Sequence, residues 1–137
     1  MLIGELAKHA GCDAGTIRFY EREGLLGKPY RSDSGYRKYS EAHLAQLNFV
    51  RHCRSLGMTL AEIKVLQGFQ ANPQEPCAGI SELIDRQIAR VRHQIEVLRS
   101  LGEQLAALRA CCDDSLSAGQ CGILKALTSA AESGEGA

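Results

Sequence analysis

The sequence predicts a mainly α-helical fold, and three observations carry that prediction. Strict alternation of apolar and polar residues is almost absent. Two short helical patterns joined by a tight turn open the chain, and a basic, turn-rich stretch follows them. Beyond residue 80, apolar residues recur at alternating steps of three and four, the spacing of a coiled-coil seam. The expected architecture is a winged helix-turn-helix domain, a long dimerization helix, and a cysteine-bearing loop closed by a short helix.

Each element has a local cause. Leu2, Ile3, Leu6 and Ala10 follow helical spacing, and Gly11 then stops the turn. Asp13 can cap a second helix carrying Ile17, Tyr20 and Glu21, with Gly24 at its C′ position. From Gly27 to Tyr39 the chain is rich first in turn formers and then in Tyr, Arg and Lys, which predicts a short hairpin with Asp33-Ser34-Gly35 near its tip. Ser40 caps a third helix through Leu56, with Ala42, Ala45, Phe49, Cys53 and Leu56 on one expected apolar face, and Gly57 closes it. Thr59 and Glu62 form the T-x-x-E capping box of a fourth helix that turns Ile63, Leu66 and Phe69 inward. Two prolines within 71–76 mark a boundary. The expected division is therefore 1–70 for the first domain, 71–77 for a linker, 78–112 for the long helix, 113–131 for the loop and short helix, and 132–137 for a frayed tail.

The long helix carries Ser81, Ile84, Ile88, Val91, Ile95 and Leu98 at heptad spacing. The seam then slips by one position, continuing as Leu98, Leu101, Leu105, Leu108 and Cys112, a three-residue step that locally overwinds a coiled coil. One helix cannot cover its own stripe, and helices 1–4 already have a core to build, so a second chain is the expected partner.

Composition narrows the function. The 137 residues carry 16 basic and 16 acidic side chains. That balance conceals nine Lys/Arg against six Asp/Glu in residues 1–56, and seven against ten in the remainder. A basic front is compatible with nucleic acid, although +3 alone says little. No apolar run approaches the ~18–20 residues that span a bilayer, and Glu5 and Lys8 interrupt the first apolar residues, unlike a signal peptide. A cytoplasmic protein without a membrane partner is expected. No carboxylate pair, nucleophile–base pattern or glycine-rich phosphate loop points to an enzyme.

The six cysteines sort by position. Cys12 in the helix-turn-helix turn and Cys53 on the third helix read as small buried hydrophobes. Cys77 opens the long helix, Cys111 and Cys112 end it, and Cys121 follows Cys112 after eight residues. In a reducing compartment these read as thiols or metal ligands before disulfides. Thirty-five residues of helix measure about 50 Å at ~1.5 Å per residue, so Cys77 and Cys112 cannot meet within one chain. If two long helices run antiparallel, Cys77 of one protomer faces Cys112 and Cys121 of its partner, and the two-fold axis makes two equal sites. Three thiolates suit soft or borderline ions such as Cd(II), Pb(II), Zn(II), Hg(II) or Cu(I). The competing readings at this point are a Cys112–Cys121 disulfide and unpaired surface thiols.

A family resemblance now becomes visible. Ile3-Gly4-Glu5-Leu6-Ala7, then Thr16-Ile17-Arg18-Phe19-Tyr20-Glu21-Arg22-Glu23-Gly24-Leu25-Leu26, then Gly35-Tyr36-Arg37-Lys38-Tyr39 resemble the MerR family of bacterial transcription regulators. Arg51-His52-Cys53-Arg54-Ser55-Leu56-Gly57-Met58-Thr59-Leu60 and Cys121-Gly122-Ile123-Leu124 look most like its cadmium- and lead-responsive branch. The resemblance implies the antiparallel sense of the dimerization helix and a homodimer on double-stranded promoter DNA. It further implies that operator is bound with and without metal, and that metal reorients the DNA-binding domains. The bent, untwisted promoter can then be engaged by RNA polymerase.

By the same resemblance, Thr16, Arg18 and Tyr20 on the second, recognition helix match DNA-contact positions. Arg18 would reach a base edge or phosphate and Tyr20 a phosphate, while Arg31, Tyr36 and Arg37 of the wing match backbone-contacting positions. Arg54 is a further phosphate candidate, and Phe19 is expected in the core. For the metal, Cys112, Cys121 and the partner subunit's Cys77 form the expected ligand set, with Cys111 as a spare or fourth ligand. Copper(I) sensors of the family lack a cysteine at position 77, which points here to a divalent ion. Leu116 stands about where the zinc branch carries a histidine, and residues 132–137 lack the histidine-rich tail of some cadmium sensors. Cd(II) or Pb(II) is the expected ion, with Zn(II) or Hg(II) as alternatives and a thiol redox sensor as the competing function.

Overall fold

The computed structural model describes residues 1–134. Helix α1 spans Ile3–Ala10 and α2 spans Ala14–Arg22. Strands β1 (Tyr30–Arg31) and β2 (Arg37–Lys38) pair antiparallel, with Tyr30 opposite Lys38 and Arg31 opposite Arg37. Helices α3 (Glu41–Ser55), α4 (Leu60–Ala71), α5 (Ala78–Ala110) and α6 (Gly122–Glu132) follow, with a single 3₁₀ turn at Ala118–Gln120. Residues 133–134 form a turn, and the remainder of the expected tail, 135–137, lies outside the described residues.

The chain divides into two compact units, Met1–Gln87 and Ile88–Ala137. In the first, Leu6, Ile17, Leu25, Leu47, Val50, Ile63 and Leu83 are fully buried. The start signals act as their chemistry requires. The Asp13 carboxylate accepts from the Thr16 amide at 2.7 Å, and this bond holds its pKa below the usual carboxylate range. Thr59 and Glu62 exchange reciprocal bonds at 3.2 and 2.9 Å. Gly11, between α1 and α2, has φ +72°, a left-handed conformation that side chains resist.

One expectation about this unit needs correction. The buried face of α3 is His43, Leu47, Val50 and Cys53, whereas Ala42, Ala45 and Leu56 are exposed. The alanines share a helical stripe but carry little apolar area, so Leu47 and Val50 decide which way the helix rolls. The 71–77 segment is a turn inside the first unit, which runs on to Gln87. Leu83 of α5 enters the core, and the Gln87 amide donates to the Leu56 carbonyl at 2.7 Å. Gly79 lets α5 lie against α4, since a Cβ there would meet the Phe69 ring at 2.8 Å. The first turns of α5 therefore face this core with Leu83 and Gln87 as well as carrying Ile84 of the seam. Replacing Leu83 by alanine should cost about 2–5 kcal/mol, read as a lowered denaturation midpoint, because a fully buried leucine leaves a cavity.

Beyond Gln87 the seam is open. Ile88, Val91, Ile95, Leu98, Leu101 and Leu105 are all exposed, Leu98 by 66%. Such a stripe on one uninterrupted helix fits a coiled coil with a second chain. Helix α5 ends at Ala110, two residues before the expected Cys112, because the Cys111 and Cys112 amides bond back three residues to Leu108 and Arg109 (3.0 and 3.3 Å) and tighten the last turn. Among the described residues, no helix is long and apolar enough to cross a membrane.

Candidate functional site

The cysteine cluster is built by the loop between α5 and α6. The Asp113 carboxylate accepts from the Ser115 amide at 3.0 Å and the Asp113 carbonyl from the Leu116 amide at 3.0 Å, turning the chain back. Arg109 ties this turn to the helix end, donating to the Asp114 carboxylate at 2.9 Å and to the Cys112 carbonyl at 3.3 Å. The 3₁₀ turn then delivers Cys121 to the N-cap of α6.

As a result the Cys112 and Cys121 sulfurs lie 3.4 Å apart as free thiols sharing a hydrogen bond. Their acidities diverge. The Cys121 thiol is pushed down, first by the Leu124 amide at the start of α6 and next by the Cys112 thiol, with a further contribution from the Ile123 amide. The Cys112 thiol is pushed up, chiefly by its hydrogen bond with the Cys121 thiol. These opposite directions make Cys121 the more acidic thiol of the pair. Alkylation of the metal-free protein near neutral pH should label Cys121 ahead of Cys112, as peptide mapping would show; equal rates would contradict this ordering.

These donors suit a soft ion. Two thiolates at ~2.3 Å bonds and tetrahedral angles sit roughly 3.8 Å apart, so the pair needs only a small opening to share one. Among the described residues, no group of three or more His, Cys, Asp or Glu side chains is placed to hold a metal ion, and the loop brings two thiols together. Cys77 is exposed immediately before α5, its carbonyl accepting from the Ser81 amide at 3.1 Å. Cys111 is exposed too, and its thiol turns back to the Ala107 carbonyl at 3.4 Å while Cys112 reaches Cys121.

The second candidate surface lies on the first unit. On α2, Arg18 is exposed and Thr16 half-buried. Tyr20 is only 8% exposed; its ring joins the core while it borders a shallow cleft with Thr16, Arg51 and Arg54. Phe19 corrects the sequence reading, being 38% exposed and stacked at a tilt on Tyr20. The two neighbours sit ~100° apart on the helix, and Tyr20, in register with Ile17, takes the inward position. Arg54 is exposed with one nitrogen donating to the Met58 carbonyl at 2.9 Å, and Arg51 donates to the Ala10 carbonyl.

In the wing, the Ser32 amide donates to the Tyr36 carbonyl and the Gly35 amide to the Ser32 carbonyl (2.8 and 2.9 Å), closing the tip where Asp33-Ser34-Gly35 was expected. Tyr36 is exposed, and Arg31 is exposed while donating to the Gly35 carbonyl at 3.1 Å. Arg37 is half-buried and ion-paired with Glu21 of α2 at 3.3 Å. A guanidinium has five N–H donors, so this pair leaves others free to face outward. Glu21 also accepts from the Tyr39 hydroxyl, whose pKa burial and then Glu21 push up to about 12. Sequence reasoning treated Glu21 only as a helix residue. Its signal was an acidic side chain on α2 between Arg18 and Arg22.

A profile described as "MerR HTH family regulatory protein" matches residues 1–68, and one described as "MerR, DNA binding" matches residues 44–108. The "HTH-type transcriptional regulator ZntR" of Escherichia coli (strain K12) is 35% identical over 127 residues, covering 91% of this chain and 90% of that protein. Among solved structures, PbrR691 from Ralstonia metallidurans CH34 in complex with Lead(II) shares 44% identity at a TM-score of 0.83, covering 93% of this chain and 99% of that one. MerR from Bacillus megaterium MB1 in complex with mercury(II) shares 28% identity at a TM-score of 0.70, covering 93% and 99%. On these matches, with a winged helix-turn-helix followed by a long helix, the chain belongs to the MerR family of helix-turn-helix transcription regulators.

Proposed function

We propose that this protein is a metal-responsive transcription regulator. In this reading it binds promoter DNA as a homodimer and changes the shape of that DNA when a soft divalent ion, Cd(II) or Pb(II), is held by its thiols. The observation that carries the reading is the Cys112–Cys121 pair at 3.4 Å, at the far end of a helix whose first turns pack in the DNA-binding unit. Cys112 and Cys121 supply two donors and the partner subunit's Cys77 the third; Cys111 is the spare. The likeness to the PbrR691–Lead(II) complex supports a lead-class ion, and the likeness to the mercury(II) complex keeps Hg(II), with Zn(II), as the alternative.

A bound ion neutralises the two loop thiolates and ties them to a second subunit. On the DNA side, Arg18 and Thr16 of α2 contact the major groove, and Arg31, Tyr36 and Arg37 of the wing hold the phosphate backbone. Tyr20, with its ring in the core, serves from the edge of the cleft. Because the protein remains on its operator in both states, the ion must favour one DNA conformation over another by a difference in free energy. RNA polymerase then engages the distorted promoter, and the protein acts in the cytoplasm.

The test is metal analysis of the dimer after challenge with Cd(II), Pb(II), Zn(II) and Hg(II), with thiol titration alongside. Uptake of two ions per dimer, with the Cys77, Cys112 and Cys121 thiols protected, is the expected result. An oxidant that links Cys112 to Cys121 and alters promoter activity, in a protein that takes up no metal, would establish the redox reading instead.

A further inference from the structure

His43 joins three parts of the first unit through one ring. It sits at the third position of α3, buried, facing the chain that leads into the wing. Its Nδ1 accepts from the Ser40 amide at 2.9 Å and lies 3.0 Å from the Ser40 hydroxyl. A ring nitrogen that accepts an N–H carries no proton, so the proton is on Nε2. Nε2 lies 3.0 Å from the Lys28 carbonyl and donates to it. The ring also meets Tyr30 of β1 and Tyr39 beyond β2 edge to face, at centroid distances of 5.7 and 5.4 Å. Beside it, the Gly27 amide donates to the Gln46 side chain of α3 at 3.0 Å.

The wing contributes only two residues to each strand, too short a ribbon to hold its own position. Its ends must be fixed from outside, and the two ends are Lys28 and Ser40. We propose that His43 is the positioning residue of the wing: its neutral imidazole ties the chain before β1 to the chain after β2, and so sets where Arg31, Tyr36 and Arg37 meet DNA. The assignment rests on the DNA-binding reading above only for its functional consequence. The bridge touches no nucleic acid and adds no charge at the DNA surface. It acts by restricting the wing before DNA arrives, so the binding free energy is not spent on ordering it.

A helix cap alone would produce the Ser40 contact, and a variant separates the two roles. Glutamine at the third helical position is a standard capping-box partner of an N-cap serine, so His43→Gln keeps the cap and removes the ring that reaches Lys28 and both tyrosines. The measurements are thermal midpoint, ¹⁵N order parameters of residues 30–38, and affinity for a duplex that the wild-type protein selects from a random-sequence pool. His43→Gln, which keeps the cap, is expected to melt above His43→Ala, which lacks cap and ring. In His43→Gln the wing order parameters should fall and duplex affinity should drop about three- to tenfold, with the salt dependence of binding unchanged because no cation is lost. Wild-type order parameters in His43→Gln would overturn the proposal, as would a melting loss equal to that of His43→Ala. If wild type selects no duplex, the DNA-binding reading fails while the order parameters still decide the positioning role.

Discussion

Replacing Cys112 by serine is expected to abolish metal-dependent transcription while leaving operator binding in place. A serine hydroxyl matches the thiol in size but is neither soft nor ionised near neutral pH, so it is no ligand for Cd(II) or Pb(II). Loss of an outer-shell partner alone typically lowers metal affinity about 10–100-fold, and loss of a ligand should exceed that. The loop itself should survive. Its turns are held by Asp113, Arg109 and backbone bonds, none of which uses the Cys112 sulfur. Helix α2 and the wing lie in the other compact unit, so DNA affinity of the metal-free protein should match wild type. Metal analysis, a promoter-activity assay and a binding titration on one preparation check all three statements. A Cys112→Ser protein that still responds normally would remove Cys112 from the site.

The second large effect is expected at Arg18. It lies on the exposed face of α2, opposite the side that buries Ile17 and Tyr20. Arg18→Ala should weaken operator binding by about 1–3 kcal/mol. If the guanidinium meets a phosphate, the slope of log affinity against log salt should fall by about one unit; if it reads a base edge, affinity falls with relaxed preference at that base pair. Folding should be unaffected, because the side chain is outside the core. Unchanged affinity at every salt concentration would exclude Arg18 as a contact.

Much of this molecule is legible from local signals. Asp13, Thr59 and Glu62 cap helices because a short acceptor ahead of an apolar periodic run has little else to do, and the structure shows those bonds. The wing follows from its turn residues. What stayed hidden depends on contacts between distant segments. The roll of α3 is decided by Leu47 and Val50 against the other helices, not by the alanine stripe that periodicity alone offered. Leu83 and Gln87 sit outside the heptad seam that spacing picks out, yet they seal the first core. Phe19 and Tyr20 are adjacent on a helix, and only the surrounding core says which ring turns in. His43 carries no strong local signal, because Ser40-x-x-His43 is an uncommon spelling of the capping box.

At the cysteines the balance differs. Spacing places Cys112 and Cys121 at the two ends of one loop, and the loop brings their sulfurs to 3.4 Å. The differing orientations of Cys111 and Cys112 come from the tightened last turn of α5, which no spacing rule contains.

Mixed dimers test the claim of a shared site most directly. Pairing a Cys77→Ser protomer with a Cys112→Ser protomer, isolated by two affinity tags, scrambles the ligands in a defined way. If each site takes Cys77 from one subunit and Cys112 with Cys121 from the other, one site of the hybrid loses two ligands and its twin keeps all three. The hybrid should then bind one Cd(II) ion with wild-type affinity, although neither parent homodimer binds any. A hybrid that binds none at that affinity would contradict the account.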